Sequence, residues 1–343
     1  KDHSGRPSRR SFLEGISGGT VATVLTAGQS DSLPQTAVAM QRARKEKMRG
    51  PSVQLHRSRL PVLHKADVIV IGGSLAGVAA ALEFARAGRT VVLIEHRNYL
   101  GREISATLKP WVDLGKLTGG QAPEPIAACL KKMDVKPEAG EIPLWMDAFK
   151  VSLENLVLEA GVTLVYASLP TEAVVAGGAI RGVVIGNKSG RQVVLGRLVL
   201  DATSTAAAAR VAGAEFEPER PGDFRFIRMM ELTGVGPLEQ KTLAVPAELG
   251  IADNNLTVHY GYLGRAHVLI ECPMELKMGK LDLEGMMQRE IEARHRTMRV
   301  AVHLIQNVPA FKAAKLAICA YELDGPQTTR LAGPVPAWVA EFK

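Results

Sequence analysis

The spacing in this chain that points most directly to a chemistry is a run of small residues, Gly72-Gly73-Ser74-Leu75-Ala76-Gly77, followed by the acid Glu95. A glycine-rich turn that opens a helix presents unpaired backbone N–H groups, and the helix dipole adds partial positive charge there. Such a turn suits a diphosphate. An acid about twenty residues further on accepts hydrogen bonds from the two hydroxyls of a ribose and disfavours a 2′-phosphate, which argues against NADP. Gly72 permits the tight turn, and Gly77 lets the helix pack close to the strand. Ser74 takes the place of the middle glycine of G-x-G-x-x-G, and its hydroxyl is placed to reach a phosphate.

These residues act together only if particular elements hold them. Residues 66–71 are short, apolar and β-branched, the pattern of a buried parallel strand. Residues 78–87, rich in alanine and leucine, read as a helix stopping at Gly88, and 90–94 as a second buried strand with Glu95 at its end. This is a βαβ unit. Residues 113–146 read as loop with one short helix near 126–132, residues 147–160 as an amphipathic helix closed by Gly161, and 162–167 as a strand. A meander follows: 172–176, a turn at Gly177-Gly178, 180–185, a turn at 187–190, then 192–195. A separate buried strand at 197–201 ends in Asp201-Ala202-Thr203-Ser204, and an alanine-rich helix runs on to Gly213.

With these elements in order, residues 66–214 resemble the FAD-dependent oxidoreductases of the glutathione-reductase-like superfamily, most closely a bacterial branch that includes exported flavoproteins. Asp201-Ala202-Thr203 is similar to that group's returning strand, with Ser204 where glycine is usual, and Tyr99-Leu100-Gly101-Arg102 to its leucine-glycine-glycine element, with Arg102 for the second glycine. Residues 282–330 resemble the segment before its last flavin-binding element, a glycine-rich turn into a helix that is not found in this chain. The resemblance implies an α/β fold: a Rossmann-like FAD-binding domain with an inserted β-meander, and a second, mainly antiparallel β substrate domain. It implies that Gly72, Gly73, Ser74, Leu75, Ala76 and Gly77 line the pyrophosphate and that Glu95, with His96 beside it, meets the ribose. Gly101 and Arg102 lie along the cofactor, Leu169 touches adenine, and Ala202 and Thr203 approach from the returning strand. The cofactor implied is FAD. The reaction implied is hydride transfer between flavin and a small organic substrate, with an unknown electron acceptor. An NAD-binding dehydrogenase and a non-catalytic nucleotide-binding or assembly protein are the alternatives.

No residue is assigned to catalysis. His259, Tyr260, Tyr262 and His267 lie on alternating segments of the substrate region, 215–281, and could donate protons, although such residues on strands are more often structural. Arg225 and Arg228 read as a surface pair, and His295 and His303 as helix-face residues without a third metal ligand. Cys129, Cys272 and Cys319 are far apart and read as ordinary thiols. Of the net charge of +7, residues 40–65 carry eight basic groups against Glu46, and residues 1–39 add +1. The body is therefore near neutral and gives no case for nucleic acid. No apolar run reaches the roughly 18 residues of a membrane helix. Residues 1–39, with Ser8-Arg9-Arg10-Ser11-Phe12-Leu13 and Ala37-Val38-Ala39, resemble a twin-arginine signal, which implies a periplasmic or extracellular protein. Residues 40–65 read as a basic linker, and 282–343 as a return to the FAD-binding domain.

Overall fold

The computed structural model describes residues 23–25, 59–113, 124–135, 140–177, 179–217, 222–278, 283–326 and 330–332. Most of the signal-like segment, most of the expected linker and the C-terminal residues 333–343 lie outside the described residues.

The elements, in chain order, are β1 (Thr23–Leu25), β2 (Val62–Ile71), α1 (Leu75–Arg86), β3 (Val91–Ile94), α2 (Arg102–Ser105) and β4 (Trp111–Asp113). Then come α3 (Glu124–Lys132), β5 (Glu141–Pro143), α4 (Met146–Glu159), β6 (Thr163–Val165), β7 (Leu169–Ala176), β8 (Ala179–Asn187), β9 (Gly190–Asp201) and α5 (Ala207–Val211). The last group is β10 (Gly222–Thr233), β11 (Thr242–Ala244), β12 (Asn255–Gly261), β13 (Gly264–Met278), α6 (Leu283–Asn307) and β14 (Lys315–Cys319).

One sheet runs β6-β3-β2-β9-β8-β7, parallel from β6 to β9 and antiparallel through the β8 and β7 meander. The inner ends of β2 and β3 are buried on both faces because they carry only Val, Ile and Leu. Helices α1, α3 and α4 cover one face through Val78, Leu82, Phe149, Leu153 and Val157. Ile69, Ile71, Val92 and Ile94 point to the other face, under Ile185, Val194 and Ala208.

The expected strands 192–195 and 197–201 are one strand, β9. Its first half pairs antiparallel with β8, and from Val193 to Asp201 it lies parallel to β2. Gly196 does not break it. A Cβ there would stand 2.7 Å from Ile69, so glycine is the residue that lets β9 pass β2's side chain. β2 in turn starts at Val62, four positions before the expected strand, because Val62 to Lys65 pair with β9. Pairing of β8 with β9 ends at Gly182 and Leu195. Beyond it the free edge of β9 is covered by β1, whose Thr23–Leu25 lie inside the segment read as a signal. The expected loop 113–146 contains α3 and the short strand β5, which pairs back with β4 at the loop's start.

The second sheet runs β11-β12-β13-β10-β14, with every pairing antiparallel. Side chains alternate between its faces. Val258, Val268, Ile270, Met230 and Leu232 pack under Ala293, Val300 and Leu304 of α6. Met229 and Leu269 meet Leu108, with Trp111 and Met146 packed against them, so the other face closes on the first unit.

At the end of β2 the chain turns at Gly72 with φ +102. An added Cβ at Gly77 would stand 1.9 Å from the Gly72 carbonyl oxygen, a backbone atom that cannot yield. Gly77→Ala is expected to cost ~3 kcal/mol or more of unfolding free energy. Gly88→Ala meets nothing within 4 Å and strains only its positive φ, at a cost of about 1–2 kcal/mol. Urea midpoints of the two variants check the order.

Candidate functional site

The site grows from three chain segments that meet at the ends of β2, β3 and β9. Ser74 caps α1: its hydroxyl accepts from the Gly77 N–H at 3.1 Å and donates to the Ala202 carbonyl at 3.0 Å. Both bonds are structural. The residue in the middle-glycine position therefore ties the returning strand to the helix start. Asp201 anchors that return. Its Oδ1 accepts from the N–H and hydroxyl of Thr203, and its Oδ2 from the N–H of Ala209. The Thr203 hydroxyl also accepts from the N–H of Ala207, the first residue of α5.

Glu95 is 2% exposed yet ionised. One carboxylate oxygen accepts from the Gly73 N–H at 2.5 Å. The other accepts from the Arg97 N–H at 2.8 Å and its guanidinium at 3.0 Å, and meets His96 Nδ1 at 2.9 Å. Burial pushes the carboxyl up, but the His96 contact, the Arg97 charge and the backbone N–H prevail and hold it at about 2.

A cavity of about 700 Å³ opens beside these groups, a size that suits a small-molecule ligand. It brings together Gly72, Ser74, Glu95, His96, Arg102, Leu169, Ala202 and Thr203 of the residues singled out from sequence. Gly73, Leu75, Ala76, Gly77 and Gly101 do not line it. Gly101 is a packing residue, where a Cβ would stand 2.7 Å from Leu153 and 3.0 Å from Phe149. The expectation of free N–H groups at the start of α1 is corrected for two of them. The Gly77 N–H is taken by Ser74, and the Leu75 N–H donates to Glu103 at 3.0 Å.

Arg102 faces the cavity, but its charge is engaged. It donates to Glu322 at 2.9 Å, and Arg97 donates to the other oxygen of the same carboxylate at 2.5 Å. Lys109 to Asp324, at 2.5 Å, adds a third tie to the segment after β14. Sequence reasoning missed Arg97, Glu322, Arg210 and Arg289, all of which line the cavity. A signal existed for Arg289. Ala293, Thr297, Val300 and Leu304 form a buried stripe at helical spacing, and Arg289 extends it by one turn.

The candidate proton donors lie elsewhere. His259 is buried and stacked on Trp111 at 4.0 Å, with its Nδ1 at 3.0 Å from both oxygens of Glu141. His267 meets Glu231 at 2.7 Å. Tyr262 is exposed against Trp145, and Tyr260 lies beneath Lys241 and Arg265. None of the four lines the cavity. Arg225 is an exposed partner of Asp253, but Arg228 is not a surface residue. It is 2% exposed and donates to Glu290 and to the Ala320 carbonyl, both at 2.6 Å. The thiols form no disulfide, and burial pushes Cys129 up to about 12. Among the described residues, no helix is long and apolar enough to cross a membrane.

No curated protein matches the sequence. Among solved structures, the chain is similar to a geranylgeranyl bacteriochlorophyll reductase-like protein from Thermoplasma acidophilum. The identity is 17%, 76% of this chain and 66% of that one are covered, and the TM-score is 0.52. This likeness bears on the fold alone, and the chain spans just under two thirds of that protein's length. A p-nitrophenol 4-monooxygenase from Pseudomonas putida DLL-E4 is 12% identical over 79% of this chain and 70% of that one, with a TM-score of 0.49. Residues 67–334, the greater part of the chain, match the FAD dependent oxidoreductase family; the chain belongs to that family, and its cofactor is FAD.

Proposed function

We propose that the cavity holds FAD and that the chain carries out hydride transfer between the flavin and a small organic substrate, with a separate electron acceptor closing the cycle. The observation that carries this reading is the convergence in one cavity of the Gly72 turn, the ionised Glu95 and the Asp201-Ala202-Thr203 return. When bound, FAD supplies two-electron redox chemistry at its ring. The chain's part is to bind and orient it.

The residues fit that group. Glu95 keeps its charge, so it accepts hydrogen bonds from ribose hydroxyls across the whole neutral range. Leu169 is more than half exposed and offers the adenine an apolar surface at the start of β7, beside Glu95. Gly72 lines the cavity with backbone alone, and its missing side chain lets the Ala202-Thr203 return close on the turn. Arg97 and Arg102, held on Glu322, tie the chain after β14 to the cavity, where Glu322, Leu323, Gly325 and Pro326 line it.

Purified protein is expected to show flavin absorbance that survives desalting and is released on denaturation. A colourless protein that takes up no added FAD overturns the reading. Glu95→Gln keeps the shape but gives up charge-assisted hydrogen bonds, so FAD affinity should fall about tenfold. Unchanged affinity by calorimetry removes Glu95 from the ribose.

The same residue has an acid signature. Its carboxyl is lowered from 4.5 to about 2 in the folded chain, so the stability it contributes is present above about 4.5 and disappears as the pH falls towards 2. That contribution is on the order of 3 kcal/mol. Unfolding free energies of Glu95→Gln should therefore lose part of the wild-type slope between pH 4.5 and 2. Parallel curves for the two proteins would show that Glu95 is not held ionised.

A further inference from the structure

Four arginines line the cavity, and three have their charge or donors engaged within the chain. Arg97 and Arg102 share Glu322. Arg210 donates to the Thr205 carbonyl at 3.0 Å and lies over the Phe216 ring. Arg289 is different. It is 9% exposed, and its guanidinium forms no hydrogen bond or ion pair among the described residues. Its neighbour Glu290 does not neutralise it, because that carboxylate is held by Arg228 at 2.6 Å and by the Leu323 N–H at 3.2 Å. The guanidinium nitrogens are not sealed in protein either. The enclosed, partnerless polar atoms among the described residues are Ser105 Oγ, Arg228 Nε and His259 Nε2. The Arg289 charge thus meets the cavity.

A buried cation without a partner is costly, and replacing it by an apolar side chain is normally favourable. Arg289 also sits on a stripe that is otherwise filled by Ala293, Thr297, Val300 and Leu304. A charge kept in such a place is matched by an anion that arrives with a ligand. The cavity's dinucleotide carries two negative charges at its pyrophosphate. Several of the other groups that could meet those charges are already engaged: the N–H groups of Gly73 and Leu75 by Glu95 and Glu103, and Arg97 and Arg102 by Glu322.

We propose that Arg289 of α6 is the counter-charge for the FAD pyrophosphate, a cofactor contact made from outside the βαβ unit. This rests on the reading of the cavity as the FAD site. It makes α6, the helix that covers the second sheet, part of cofactor binding.

Calorimetry with ADP, FAD and adenosine on the full chain tests it. Arg289→Met keeps the aliphatic stem and removes the charge. It is expected to weaken ADP and FAD by about tenfold to a hundredfold and to leave adenosine unchanged. Arg289→Lys should recover part of the loss, and Arg294→Met, an exposed arginine on the same helix, should change nothing. The ligand-free Arg289→Met protein should melt no lower than wild type, because it loses an uncompensated charge. ADP and FAD affinities unchanged in Arg289→Met overturn the proposal and assign the guanidinium to another anion, such as a substrate carboxylate. An equal loss for adenosine also overturns it, since the role is then structural. A wild-type chain that binds neither ADP nor FAD fails at the earlier step, and the reading of the cavity falls together with this one.

Discussion

The turn at Gly72 and the end of β9 meet backbone to backbone, and the cavity is built on that meeting. A Cβ at Gly72 would stand 2.7 Å from the carbonyl carbon and oxygen of Ala202, so only hydrogen fits. Close approach then allows the Ala202 N–H to donate to Ile71 at 2.7 Å and the Ser74 hydroxyl to reach the Ala202 carbonyl. Two segments distant in sequence are locked to one geometry. The start of α1, the carboxylate of Glu95 on the Gly73 N–H and the start of α5 on Asp201 all take their positions from it. The usual middle glycine is dispensable here because Ser74 turns its hydroxyl to the two backbone groups that most need a partner.

The second constraint is charge. Carboxylates of Glu95, Glu290 and Glu322 line the same cavity as Arg97, Arg102, Arg210 and Arg289. In a partly desolvated space each of these charges is costly alone and affordable when paired. Glu95 is met by Arg97 and His96, Glu322 by Arg97 and Arg102, and Glu290 by Arg228. The pairs also do mechanical service. Glu322 and Asp324 draw the chain after β14 onto the βαβ unit, and the Arg228 bond to the Ala320 carbonyl holds the same segment to β10.

The sequence made legible what is local and periodic. The runs Val68 to Ile71 and Val91 to Ile94, the alanine-rich helix between them, and the turns of the meander state their structure in a few residues. What was not legible depends on partners far along the chain. The three-residue strands β4 and β5 have no periodicity of their own and exist because they pair with each other. Gly196 looks like a breaker, and only the position of Ile69 shows that it is a passage. Ser74 and Arg102 line the cavity, but their hydrogen bonds were not legible, since Ala202 and Glu322 lie 128 and 220 residues away. Arg228 read as half of a surface pair with Arg225, while its place on β10, in alternation with Phe226, Met230 and Leu232, puts it on the face beneath α6.

The histidines of the second sheet clarify how the two units are joined. His259 is stacked under Trp111 of β4 and held by Glu141 of β5, so it fastens that hairpin to β12. His267 closes on Glu231 of the adjacent strand. His259 thus serves the seam between the units, beside the apolar contact of Leu108 with Met229 and Leu269, whereas His267 ties strands within the sheet. The other face of the same sheet carries α6, whose lower stripe is core and whose residue Arg289 reaches the cavity. The next residue, Glu290, is the partner of buried Arg228 on β10. A ligand charge at Arg289 therefore acts one residue from the ion pair that fixes α6 to the sheet. One turn of α6 thus carries both the residue that faces the cavity and the ion pair that holds the helix to the sheet.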